Sequence, residues 1–108
     1  MNQQRLEQLF NFLKDDPKDP FLLYAIATEY SNEKPEEAIK FFDNLLENHP
    51  EYFPTYYHAA ALYAEIDEIE KAKKIYEKGI EVCEKARELK ALQEIKNAYQ
   101  NFLFEIDE

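Results

Sequence analysis

The sequence predicts an all-α protein made of two copies of one helix-pair unit, with a single helix before them and another after. Three observations carry that expectation. Apolar residues recur at helical spacing along most of the chain, prolines fall between the apolar stripes, and one pattern of large and small apolar residues returns after 33 or 34 positions. The chain has one glycine in 108 residues. That argues against a sheet protein rich in tight turns, and against a phosphate-cradling loop, which needs close backbone approach.

The first stripe is Leu6, Leu9, Phe10 and Leu13, and Asp15-Asp16-Pro17 ends it. Asp19-Pro20 pairs an N-capping side chain with a proline at the first helical position. The second stripe is Leu23, Ile26, Ala27 and Tyr30. A short break over 31–35 follows, and Pro35 opens a third helix carrying Ala38, Ile39, Phe42, Leu45 and Leu46 up to Asn48-His49-Pro50. A fourth helix begins near Pro54 with Tyr56, Ala59, Ala60 and Tyr63. A polar turn near Asp67 separates it from a fifth helix carrying Ile69, Ala72, Ile75, Tyr76, Ile80 and Cys83. The last segment, from about Glu88, carries Leu89, Leu92, Ile95, Ala98, Tyr99 and Phe102. Residues 80–90 contain neither Gly nor Pro, so one long helix or two both fit the sequence there.

Internal repetition decides the architecture. Leu23-x2-Ile26-Ala27-x2-Tyr30 returns 33 residues later as Tyr56-x2-Ala59-Ala60-x2-Tyr63. Ala38-x3-Phe42-x2-Leu45 returns 34 residues later as Ala72-x3-Tyr76-x2-Gly79. Leu6, Leu9 and Leu13 also fit the template of the second helix of a pair. With these residues the chain resembles the tetratricopeptide-repeat family, in which bulky apolar knobs enter gaps left by small residues. Tyr30 and Tyr63 would be knobs; Ala27, Ala38, Ala60, Ala72 and Gly79 would be holes. The resemblance covers two pairs and departs from the family pattern in three places. The first pair is one residue short in its internal turn, Leu23 and Tyr56 stand where a tryptophan is frequent, and Glu84 replaces a usual proline.

The resemblance implies a right-handed α-α superhelix in a single domain spanning 1–108. It comprises an N-terminal half-repeat helix (1–17), repeat 1 (20–52), repeat 2 (53–86) and a C-terminal capping helix (87–105). It also implies a concave groove lined by the first helix of each pair, holding a peptide or helix of a partner. The groove residues would be Phe21, Tyr24, Thr28 and Ser31 from repeat 1, and Tyr57, His58, Ala61, Ala64 and Glu65 from repeat 2. Tyr24 and Tyr57 each follow a core position, so the helical rotation aims them away from the core. They would either anchor a partner or pack on neighbouring helices. The family's carboxylate clamp of Lys, Asn and Arg is not matched: Tyr24, Thr28 and His58 stand in its place.

Net charge is −10 and the isoelectric point about 4.7, which disfavours nucleic acid, whose binding depends on Lys and Arg at phosphates. Residues 1–69 hold 5 Lys and Arg against 14 Asp and Glu, and residues 70–108 hold 8 against 9. A neutral or basic protein partner is therefore expected over an acidic one, although ordinary solvated helix faces give the same bias. Lys71, Lys73, Lys74 and Lys78 among Glu70, Glu77 and Glu81 read as a solvated face, or else as a weak dock for an acidic partner. His58 has no second His or Cys at ligand spacing, so an ordinary polar role is favoured over a metal or pH-sensing one.

Cys83 is the sole cysteine and reads as a small core residue. No catalytic pairing, metal or cofactor is expected, so the chain reads as a non-enzyme. The absence of an apolar leader or spanning run points to the cytoplasm and away from membranes. The apolar end Phe102, Phe104 and Ile106 supplies an alternative function, a weak homodimer formed through the capping helix.

Overall fold

The computed structural model describes residues 1–107. They form six helices: α1 (Gln3–Asp15), α2 (Pro20–Tyr30), α3 (Pro35–Asn48), α4 (Pro54–Glu65), α5 (Ile69–Ala86) and α6 (Leu89–Ile106). No strand occurs among the described residues. The repeat interval is visible in the helix starts: Pro20 and Pro54 open α2 and α4, and Pro35 and Ile69 open α3 and α5, each 34 positions apart. Two compact units divide the chain, Met1–Thr55 and Tyr56–Glu108.

Local chemistry sets the helix ends. Asn2 accepts the Arg5 N–H at 2.9 Å and caps α1. Asp19 accepts the Phe21 N–H at 2.9 Å, and Pro20 follows where a missing N–H costs nothing. Glu36 and Glu37 stand in the first turn of α3, behind Pro35, where the helix dipole favours negative charge. Two helices end in a left-handed residue that is not glycine: Asp67 (φ 67°) and Arg87 (φ 57°). Around them Glu68 donates to the Tyr63 carbonyl at 2.9 Å and Glu88 to the Cys83 carbonyl at 3.1 Å, the six-to-one bonds of a Schellman ending. The stretch 80–90 thus holds a break at Arg87, and α5 and α6 are separate helices.

In the N-terminal unit, α2 packs against both α1 and α3. Leu23, Ile26 and Ala27 of α2 and Ala38, Phe42 and Leu45 of α3 are almost wholly buried, with Leu6 reaching in from α1. Leu22, absent from the predicted stripe, is buried too, because α2 is apolar around most of its circumference. Tyr30 acts through rings: it stacks on Phe41 at 6.2 Å, while Phe10 meets Tyr30 at 6.4 Å and Phe41 at 6.0 Å. One aromatic triad therefore joins α1, α2 and α3. Outside it, Arg5 reaches the Glu29 carboxylate at 3.4 Å, an exposed pair of small energetic weight.

In the C-terminal unit the alanine-and-glycine holes are filled: Ala59, Ala60 and Ala72 have no exposed surface, and Gly79 is buried. The knobs over Gly79 are Tyr56 and Ile95, since a Cβ there would lie 2.5 Å from Ile95 Cδ1 and 2.5 Å from Tyr56 Cβ. Tyr63 is buried as expected, and the Lys71 ammonium sits 4.9 Å from its ring centroid. The last helix is held by a second triad. Tyr76 of α5 stacks on Tyr99 at 5.5 Å and tilts against Phe102 at 5.2 Å. Tyr99 also donates its hydroxyl to the Glu77 carboxylate at 2.7 Å. Leu89 corrects the predicted α6 stripe: it is 74% exposed, because α6 starts there and its first turn precedes the packed stretch. Cys83 is a buried free thiol, its pKa raised by desolvation and then by Glu88 rather than by the adjacent Glu84.

The left-handed cap predicts that Arg87→Gly stabilises the protein by about 1 kcal/mol, read from urea unfolding, because glycine has no Cβ clash there. Gly79→Ala is expected to destabilise it, as overpacking of about 1–3 kcal/mol exceeds the helix-propensity gain of about 1 kcal/mol. The Tyr99 hydroxyl supplies a pH test. Desolvation first, and then Glu77, push its pKa up from 10 to about 12, so the folded state favours the protonated phenol. Its stabilising effect is complete below pH 10 and is lost as pH rises through about 12. The stability difference between wild type and Tyr99→Phe should be constant below that window and shrink within it. A difference that stays flat across the window rejects the assignment.

Candidate functional site

Helix α4 has two distinct faces. Tyr56, Ala59, Ala60 and Tyr63 turn inward and are buried. Tyr57, Ala61, Ala64 and Glu65, at positions i, i+4, i+7 and i+8, share the other face, as helical rotation demands. Tyr57 is 44% exposed. Its ring meets the His58 imidazole edge-on at 5.4 Å. His58 lies on the exposed surface, yet desolvation by the surrounding helix lowers its pKa from 6.5. That shift favours the neutral imidazole.

Four of the sequence-predicted residues, Tyr57, Ala61, Ala64 and Glu65, meet in one cleft of about 370 Å³. Its other wall comes from α5 and α6: Tyr76, Ala98, Asn101, Phe102 and Glu105. Tyr76 joins the cleft to the aromatic triad that holds α6. Its phenol pKa is raised by desolvation first, then by the nearby Tyr57 and the Glu105 carboxylate. The cleft is an open trough of rings and alanines with an amide and two carboxylates among its lining groups.

The repeat-1 residues lie in the other unit, on α2. Phe21 is 59% exposed in the first turn. Tyr24 is half-buried, its ring edge-on to Tyr52 at 5.9 Å, and desolvation followed by Tyr52 raises its pKa. Thr28 donates its hydroxyl to the Ala25 carbonyl at 3.0 Å, and Ser31 donates to Ala27 at 2.9 Å. Both hydroxyl donors are thus engaged by the helix backbone.

The α6 half of the cleft is what sequence reasoning missed. Tyr76 and Phe102 carry the signature of core residues, and α6 was expected to cover the end of the stack. A signal was present: Ala98, Asn101, Phe102 and Glu105 fall at i, i+3, i+4 and i+7, one helical face mixing a small residue, an aromatic and two polar groups. Another missed feature is Thr55, wholly buried with its hydroxyl lacking a hydrogen-bond partner. Among the described residues, no group of three or more His, Cys, Asp and Glu side chains is placed to hold a metal ion, and no helix is long and apolar enough to cross a membrane.

No curated protein matches the chain significantly. The family profile described as tetratricopeptide repeat matches residues 29–96. Among solved structures, the chain is similar to an NMR structure of a tetratricopeptide repeat domain protein from Salinibacter ruber. The identity is 36% and the TM-score 0.74, over 80% of this chain and 88% of that one. A crystal structure of a tetratricopeptide repeat domain protein from the same organism aligns with 35% identity and a TM-score of 0.75, over 79% of this chain and 96% of the other. The 34-residue interval between helix starts, the knob-and-hole packing and these matches agree: the chain belongs to the tetratricopeptide-repeat family.

Proposed function

We propose that this protein is a cytoplasmic adaptor that holds a peptide or helix of another protein on its exposed aromatic faces. The family is in general a non-catalytic protein-interaction fold, and the specific surface is the present proposal. The observation that carries it is the cleft beside Tyr57. A large aromatic stands 44% exposed at an alanine-floored trough, where a folded chain gains nothing by leaving it uncovered. Ala61 and Glu65 complete the α4 side, and His58 flanks it. On α2, Phe21, Tyr24 and Thr28 form a second proposed contact strip, with Phe21 the most exposed of the three. A reducing compartment suits the buried free thiol of Cys83.

A second reading, self-association through α6, keeps Phe104 and Ile106, 77% and 39% exposed, loses Phe102, which is buried, and adds Leu89 at 74%; Phe104 and Leu89 are the most exposed. Helical rotation places the exposed Gln93, Lys96 and Gln100 on the face between them, so the two apolar groups form no continuous patch. Partner binding is the stronger reading.

Panning a random peptide library against the protein, and mapping the selected peptides by NMR, tests the proposal. Selected peptides should shift the amides of Tyr57 and Ala61, and Tyr57→Ala should weaken them by about tenfold or more. Peptides that shift only the outward faces of α3 and α5 reject the surface. For the second reading, light scattering should show mass rising with concentration and reverting with Phe104→Glu. A constant monomer mass removes it.

A further inference from the structure

We infer that the C-terminal cleft recognises a helical segment carrying a bulky apolar side chain one turn from a Lys or Arg, and that α6 is half of this recognition surface. This deepens the binding role proposed above and rests on it.

The apolar requirement comes from the trough. Ala61 and Ala98 leave room between the Tyr57, Tyr76 and Phe102 rings, and a cleft of about 370 Å³ accommodates a few side chains, not a folded surface. The cationic requirement comes from the rim. Glu65 and Glu105 are the only charged residues lining the cleft, both are exposed, and neither is in an ion pair among the described residues. Of the five lysines of α5, none lines the cleft, and three are engaged elsewhere: Lys71 over the Tyr63 ring, and Lys78 and Lys85 at Glu81. The Glu105 carboxylate acts electrostatically on the Tyr76 phenol, so its field reaches the trough. A cation entering here meets two carboxylates beside the Tyr57 and Tyr76 side chains, whereas an acidic segment is repelled by both rim groups.

Asn101 adds an amide that can both donate and accept, suited to a polar group of the incoming segment. Four of the lining residues, Ala98, Asn101, Phe102 and Glu105, belong to α6. A helix whose only task was to cover the end of the stack would have no need of an acid and an amide on the face it shares with Phe102.

The test uses fluorescein-labelled peptides in an Ala/Gln helical host. One carries Leu and Lys a turn apart, a second has Glu for Lys, and a third has Ala for Leu. Anisotropy is expected to show the Leu/Lys peptide binding about tenfold tighter than either control, and added salt or the double variant Glu65→Gln/Glu105→Gln should reduce the Lys-over-Glu preference to about threefold or less. NMR shifts should include Ala98 and Asn101. Equal binding of the Lys and Glu peptides at the cleft overturns the charge inference and leaves the wider binding role standing. Shifts that spare α6 overturn its role. Failure of all three probes overturns the inference, while library peptides that still map to Tyr57 would preserve the proposed function. The two rim substitutions lie on exposed side chains without ion pairs among the described residues, so retained helical circular dichroism is expected in the variant.

Discussion

Close approach between helices is the constraint on which this molecule depends, and residues without bulk at the crossing points make it possible. Gly79 permits Tyr56 and Ile95 to meet over α5, and any side chain there would occupy the space those two fill. Ala27, Ala38, Ala59, Ala60 and Ala72 are likewise without exposed surface. Protein interiors are packed as densely as organic crystals, so each bulky group needs a matching absence of bulk opposite it.

Each unit then uses aromatic rings to fasten the helix that has no repeat partner. Phe10, Tyr30 and Phe41 bind α1 to the first pair, and Tyr76, Tyr99 and Phe102 bind α6 to α5. Offset and edge-on ring contacts add about 0.5–1.5 kcal/mol each beyond area burial. In the second unit the fastening has a functional consequence. Tyr76 and Phe102 contribute both to the triad and to the cleft, so the contacts that fix α6 also fix the wall that α6 supplies. Preorganisation of that kind lowers the entropic cost of binding.

Charge acts on a different scale from packing. The exposed pairs Lys40–Glu37, Lys78–Glu81 and Lys85–Glu81 lie along single helices and contribute little to stability. They nevertheless occupy cations that could otherwise neutralise acidic surface. The uncompensated carboxylates, Glu65 and Glu105 among them, then shape what the surface attracts.

The sequence by itself determined the first four helices, the helical character of the rest of the chain, most of the helix ends and the family resemblance. Apolar periodicity, Asp19-Pro20, Pro35 and the recurrence at 33 or 34 positions are local or strictly periodic signals, and a single chain displays them fully. The end of α5 was hidden, because Arg87 adopts a left-handed cap that favours glycine and only the Glu88 bond to Cys83 reveals it. The α4 side of the candidate site was legible as well: Tyr57, Ala61, Ala64 and Glu65 follow from the position of α4 within its repeat. Tertiary structure alone decided that Tyr56 and Ile95 fill the notch at Gly79, and that Tyr76, Ala98, Asn101, Phe102 and Glu105 face the α4 residues across a cleft. Periodicity states which side of a helix is apolar; which side chains then meet depends on the three-dimensional separation of helices distant in sequence, and no spacing along the chain encodes that distance.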